Sequence, residues 1–314
     1  MDTMDQATQL SRAALMFLSR REGLKDVATE VPALRRIARR FIAGETLEEA
    51  VSAVKELNAR GLTVSFDHLN EAVRNADETL DEVREYKRLL ARIDQLGVRG
   101  NVSLKLTQCG LLFDPELALR NAREVVADAK RRGSFVRVDM EQGEVTQATL
   151  DVVRALHREF GEPHVGAVLQ SYLYRTEADA RALCAERIRI RLCKGAYLEG
   201  PGIAYQDKKD VDDNFLRVMR ILLDSGVYHG IATHDERMIE ETLAYARKKG
   251  LARGAFEFQM LYGIRRDLQE RLVAEGHPVR VYVPYGKHWY PYFMRRLAER
   301  PANVWFVMKN LMKG

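Results

Sequence analysis

Apolar and polar positions along the chain change rhythm near residue 62. Before it, three segments repeat apolar residues at helical spacing: ATQLSRAALMFLSRR (7–21), VPALRRIARRFIAG (31–44) and TLEEAVSAVKELNARG (46–61). The third predicts a helix opened by a capping box of Thr46 and Glu49, striped by Leu47, Val51, Val54 and Leu57, and stopped at Gly61. After it, eight short β-branched runs alternate with long amphipathic stretches: LTVSFD (62–67), VSLKL (102–106), FVRVD (135–139), VGAVLQ (165–170), RIRIRLC (187–193), HGIAT (229–233), AFEFQ (255–259) and VRVYVP (279–284). Each interval has room for a strand, a crossover helix and two loops, the mark of βα units around a parallel sheet. Eight such units predict an α/β fold, a closed (β/α)8 TIM barrel with N-terminal helices. An open doubly wound sheet would more often carry a Gly-rich first turn, and neither GxGxxG nor GxxxxGK[ST] occurs.

Length agrees with this. A barrel of roughly 250 residues plus a helical extension accounts for 314 residues, with 1–60 as the extension and 61–314 as the barrel. At 46% hydrophobic and 30% charged, the composition is that of a soluble globular protein. The net charge of +5 is spread along the chain rather than gathered in a basic tract, which argues against nucleic-acid recognition. Cys109, Cys184 and Cys193 form no CxxC pair, so neither a disulfide framework nor a cysteine zinc site is expected. The polar N-terminus predicts no signal peptide, and no apolar stretch approaches the ~20 residues of a membrane span. An intracellular protein is expected.

Barrel chemistry sits at the C-terminal mouth of the strands. All eight runs leave on polar or ionisable groups: Asp67, Lys105, Asp139, Gln170, Arg191, Thr233 with His234, Gln259 and Tyr282. A shared pocket follows. Within RIRIRLC, Arg191 has a route to that pocket, whereas Arg187 and Arg189 read as structural. The segment KGAYLEGPGIAYQDKKDVDD (194–213) has little apolar periodicity and reads as a lid or binding loop. His234 could bind a metal, although no HExxH or second nearby histidine supports it. Lys105, inside an apolar run, needs either a buried counter-charge or a depressed pKa; it could form a Schiff base or pair with an anionic substrate. Near the C-terminus, KHWYPYFMRRLAERPANVWF (287–306) predicts a helix from about Pro291 with Tyr292, Arg295, Arg296 and Glu299 on one face. Two adjacent guanidinium forks can hold a carboxylate from both directions, or they can pair with Glu299 on a solvated face.

Taken in order, SFDHLNEA, VSLKL, VRVDMEQ, VLQSYL, RIRLCKGAY, ATHD, FEFQMLYG and YVPYG…YFMRRLAE resemble the proline dehydrogenase family across about residues 60–305. The resemblance implies noncovalent FAD across the mouth, a last helix placed over it, and oxidation of L-proline to Δ1-pyrroline-5-carboxylate by hydride transfer from C5 to flavin N5. It implies that Arg295, Arg296 and Lys105 grip the substrate carboxylate while Asp139 and Tyr282 orient these cations and pack the ring. Leu261 and Tyr292 would wall the ring, and Glu299 would shape the site around the amine. A Glu71–Arg295 ion pair would close over bound substrate. Flavin contacts are implied for Asp139, Gln170, Arg191, Lys194, Gly195, Ala196, Thr233, His234 and Gln259, with Arg191 near N5 and the pyrimidine edge. The resemblance further implies a quinone electron acceptor, and so a cytoplasmic protein in peripheral contact with the inner face of the membrane. Two other classes remain open at this point: a cofactor-free lyase working through Lys105, and a barrel that only binds.

Overall fold

The computed structural model describes residues 32–70 and 73–299. The helix expected over 7–21 and the expected gate residue Glu71 lie outside the described residues, as do the final residues from 300 onward. Eight parallel strands close into a barrel in sequence order: β1 (Thr63–His68), β2 (Gly100–Leu104), β3 (Val136–Val138), β4 (Val165–Gln170), β5 (Arg189–Cys193), β6 (His229–Ala232), β7 (Phe256–Leu261) and β8 (Val279–Tyr285). Closure is carried by β1 and β8, paired from Thr63 with Arg280 through His68 with Tyr285. The (β/α)8 expectation holds, with shifts at the strand ends. β2 stops at Leu104, because Lys105 opens a short 3-10 turn. β5 starts only at Arg189, since Arg187 turns through left-handed backbone (φ 57°) after the preceding helix.

Ten described helices surround the sheet: α1 (Pro32–Ala38), α2 (Leu47–Ala59), α3 (Ala76–Leu96), α4 (Pro115–Arg131), α5 (Thr146–Phe160), α6 (Thr176–Ala185), α7 (Lys208–Asp224), α8 (Glu236–Lys248), α9 (Arg266–Ala274) and α10 (Tyr290–Glu299). The capping box forms as expected, with the Thr46 hydroxyl and Glu49 carboxylate satisfying two orphan donors of α2. The stripe Leu47, Val51, Val54 and Leu57 packs into the main core against the outside of β1 and β8. α2 therefore fills the wall position that a helix after β8 would take, which frees α10 for other use.

The segment 31–44 is helical only to Ala38; beyond it the chain turns and docks on the end of β8, where Ala43 N donates to Pro284 O at 2.9 Å. Gly263 permits the closest approach: with φ 73°, any Cβ there would lie 1.7 Å from the Arg40 carbonyl oxygen. Here Ile37, Phe41 and Ile42 join Trp289, Tyr292, Phe293 and Leu297 in a second apolar cluster, with the Phe41 and Phe293 rings 5.9 Å apart. α10 is thus held over the barrel by a core of its own.

The barrel interior departs from the usual stacked aliphatic layers. Arg280 and Glu257 form a buried ion pair at 2.7 Å, and Arg137 donates to the carbonyls of Ala167 and Arg189. Burial, together with Arg191 and Arg280 nearby, holds the Arg137 guanidinium well below its ordinary pKa. Alternation in VRV, FEFQ and VRVYV places these charges on the inward face. Arg187 and Arg189 meet Glu162 at 3.0 and 3.8 Å, away from the mouth, as their structural reading requires.

Candidate active site

The mouth holds a cavity of about 480 Å3, within the range of small-molecule sites. Sixteen of the residues singled out by sequence line it: Asp67, Lys105, Asp139, Gln170, Arg191, Lys194, Gly195, Ala196, Thr233, His234, Gln259, Leu261, Tyr282, Tyr292, Arg295 and Arg296. Glu299 lies in the last turn of α10, but its side chain, like Glu71, is outside the described residues.

Arg191 is the hub. It donates to Asp139 at 2.8 Å, to Gln259, and to Ser103 at 3.2 Å, and its guanidinium sits 5.2 Å from the Tyr282 ring centre. The second Asp139 oxygen accepts from the Tyr282 hydroxyl at 2.8 Å, so both its oxygens are committed. Burial, with Asp139 beside it, raises the Tyr282 phenol well above its ordinary pKa, leaving a neutral donor. Lys105 pairs with Asp67 rather than with Asp139. Burial opposes its charge, but Asp67 and Asp139 outweigh burial and raise its pKa. The alternative of a depressed lysine pKa is thereby corrected. A protonated amine is not a nucleophile, so the Schiff-base lyase loses its working group. Asp67, whose role sequence left unsettled, is the counter-charge.

On the opposite arc, Lys194 bridges Asp212 and Asp235 at 2.5 and 2.7 Å, and Lys208 also pairs with Asp212. Asp235 caps α8 through Arg237 N, and His234 Nε2 accepts from Leu261 N at 2.8 Å, which takes up one of its two ring nitrogens. Among the described residues, no cluster of metal-ligating side chains occurs. The loop after β5 is shorter than expected, because 208–213 is helical. Its charges hid the helix: Lys208 with Asp212 and Lys209 with Asp213 are i, i+4 pairs on α7. The remaining loop is an ordered strap. Leu173 and Ala204 form an isolated antiparallel bridge, and Glu199 accepts from Gly143 N at 2.7 Å, tying the strap across to the β3 loop. From it, Tyr197 enters the cavity, its phenol pushed up to about 12 by burial and by Glu141.

Over this floor α10 presents Tyr292, Arg295 and Arg296, with Arg296 stacked 5.1 Å from the Tyr292 ring. Arg295 forms no ion pair with any described residue. Among the described residues, six cationic side chains thus line a cavity holding four carboxylates, a balance suited to an anionic ligand. Sequence reading missed Glu141, Tyr197, Lys208, Asp235 and the apolar Met140, Val168 and Met260 in the lining; Tyr197 and Lys208 stood inside the segment read as a loop.

Fold and site together define a (β/α)8-barrel enzyme whose mouth gathers cationic side chains beneath an arginine-bearing helix. The proline dehydrogenase family model matches residues 50–309. Over 309 residues the chain is 42% identical to proline dehydrogenase of Deinococcus radiodurans, covering 98% of this chain and 99% of that one. Over 304 residues it is 40% identical to proline dehydrogenase 2 of Bacillus subtilis, covering 97% and 99%. Among solved structures, proline utilization A (PutA) from Bdellovibrio bacteriovorus, inactivated by N-propargylglycine, superposes with a TM-score of 0.80 at 26% identity, over 85% of this chain and 33% of that chain. This chain belongs to the proline dehydrogenase family, oxidoreductases acting on a CH–NH group.

Proposed function

We propose that the chain oxidises L-proline to Δ1-pyrroline-5-carboxylate with noncovalently bound FAD, as the first step of proline breakdown. The observation that carries this is the arrival of Arg295 and Arg296 from α10 in the same cavity as Lys105. The donor set fits a flavin. Gln170, Gln259, Arg191 and Thr233 supply amide, guanidinium and hydroxyl groups for a polar ring edge, and Lys194 and Lys208 supply ammonium groups for phosphate. At Gly195 (φ 115°) a Cβ would lie 2.2 Å from the Tyr172 ring, so only glycine lets this backbone run along the cavity wall. When bound, the flavin supplies the acceptor for the hydride that leaves proline C5.

The chain's own residues do the rest. Arg295, Arg296 and Lys105 bind the substrate carboxylate, and their charge fixes the ring by the end opposite C5. Leu261, Tyr282 and Tyr292 wall the ring and exclude water. Arg191, held by Asp139, keeps a fixed positive charge where the flavin becomes electron-rich. Glu71 closes over the substrate through Arg295, and Glu299 shapes the site on the amine side. Reduced enzyme passes its electrons to a quinone through peripheral contact at the inner face of the membrane; among the described residues no helix is long and apolar enough to cross one.

The deciding experiment is a visible absorption spectrum of the purified protein, followed by anaerobic addition of L-proline. A flavin spectrum that bleaches supports cofactor, substrate and reaction together. A protein that stays colourless and unresponsive after FAD is supplied overturns the reading.

A further inference from the structure

Zwitterionic proline carries two protons on nitrogen, and hydride can leave C5 only once the nitrogen lone pair is free to form the imine. One N–H proton therefore needs an acceptor. Among the described residues four carboxylates line the cavity, and they are not equivalent. Asp67 is committed to Lys105, Asp139 to Arg191 and Tyr282, and Asp235 to Lys194. Glu141 forms no ion pair among the described residues. It is 8% exposed, and among the described residues its two oxygens accept only from Thr107, Oε2 from the hydroxyl at 2.7 Å and Oε1 from the backbone N–H at 3.2 Å. Each oxygen keeps acceptor capacity beyond the one neutral donor it has.

Resting on the proposed proline oxidation, we infer that Glu141 is the proton acceptor for the substrate amine. The amine N–H bond breaks as an O–H bond forms on the Glu141 carboxylate, the electron pair stays on nitrogen, and hydride then leaves C5 to the bound oxidant. The surroundings suit this role. Lys105 on the turn after β2 and Asp139 on Glu141's own segment act on it with opposite sign, while Cys109 and the strap's Tyr197 face it as neutral groups with raised pKa values. Burial outweighs Thr107 and Lys105 and raises the Glu141 pKa, making the carboxylate a stronger base than an exposed one. Lys105, which lines the same cavity, is held protonated by Asp67 and cannot accept.

The test compares Glu141→Gln with wild-type holoenzyme in anaerobic single turnover at saturating L-proline across pH. Glutamine keeps the size of the side chain and an acceptor for Thr107; a normal flavin spectrum and Tm establish that the variant is folded. The expected result is flavin bleaching slower by about 10²-fold at pH 7, rising about tenfold per pH unit as the free-base amine grows toward its own pKa, with Glu141→Asp recovering part of the rate. Affinity for the ring carboxylate with oxygen in place of the N–H should stay within about twofold, since that ligand has no proton to give. An unchanged rate, an equal loss at every pH, or a parallel loss of affinity for the oxygen analogue overturns the inference. So does the same alkaline rescue in Glu299→Gln but not in Glu141→Gln. Wild-type enzyme that proline does not bleach would instead count against the proline oxidation itself.

Discussion

Arg191 and the Arg295–Arg296 pair reach the same cavity by opposite routes. Arg191 stands on β5, buried and fastened by Asp139, Gln259, Ser103 and the Tyr282 ring, partners drawn from four other strands or their exits. The pair rides on α10, whose aromatic face belongs to the cluster shared with α1 rather than to the barrel core. The difference separates two tasks. In the proposed reaction, a charge that must not move is built into the sheet, and charges proposed to meet and release a substrate sit on an element with independent support.

That division can be broken by mutation. Arg191→Ala leaves Asp139 buried beside Tyr282 alone, and removing one partner of such a pair costs about 3–5 kcal/mol; we expect a lower urea midpoint together with weakened flavin retention. Arg295→Ala should cost about 1.5–3 kcal/mol of proline affinity, read as a KM raised roughly ten- to hundredfold, with Tm and flavin content unchanged. If it lowers the urea midpoint as far as Arg191→Ala, the two regions are not separate. A control lies outside both. His229, buried with Nδ1 accepting from Ile190 N and Nε2 2.9 Å from the Ser225 hydroxyl, is held neutral by burial, its pKa lowered from 6.5 to about 3. The unfolded chain takes up that proton near pH 6.5 and the folded one only near 3, so its contribution to stability is intact above 6.5 and drains as pH falls between those values. Urea midpoints should show wild type losing up to about 1.4 kcal/mol per pH unit relative to His229→Asn in that window. The smallest effect is expected from Phe41→Leu, which loosens the contact with Phe293 by about 1 kcal/mol and should appear in the KM for proline but not in flavin retention.

Much of this was legible because strand exits in a parallel barrel are adjacent in space whatever their distance in sequence. Asp139, Gln170, Arg191 and Gln259 could be placed in one cavity from the repeat of βα units alone. The chemistry of the wall required the family resemblance, since periodicity left Arg295 and Arg296 as readily on a solvated face. Partner choice was not legible. Nothing local tells Lys105 to take Asp67 rather than Asp139, because both lie within reach only after β1, β2 and β3 are aligned. Glu141 stayed hidden for the same reason: its one donor residue among the described residues, Thr107, comes from a 3-10 turn just beyond the run read as the second strand. The α1–α10 cluster joins residues near opposite ends of the chain, a contact that helical periodicity cannot announce.

The place of α2 has a consequence for how the molecule is made. Its apolar stripe is made about 220 residues before half of the surface that covers it, β8, which begins only at Val279. A nascent chain on the ribosome must therefore keep Leu47, Val51 and Val54 waiting, or cover them provisionally, until β8 has emerged. Barrel closure becomes a late and concerted event. A chain cut short before β8 would not be a smaller enzyme but a sheet with two open edges and an unsheltered helix, the kind of species that chaperones and proteases remove.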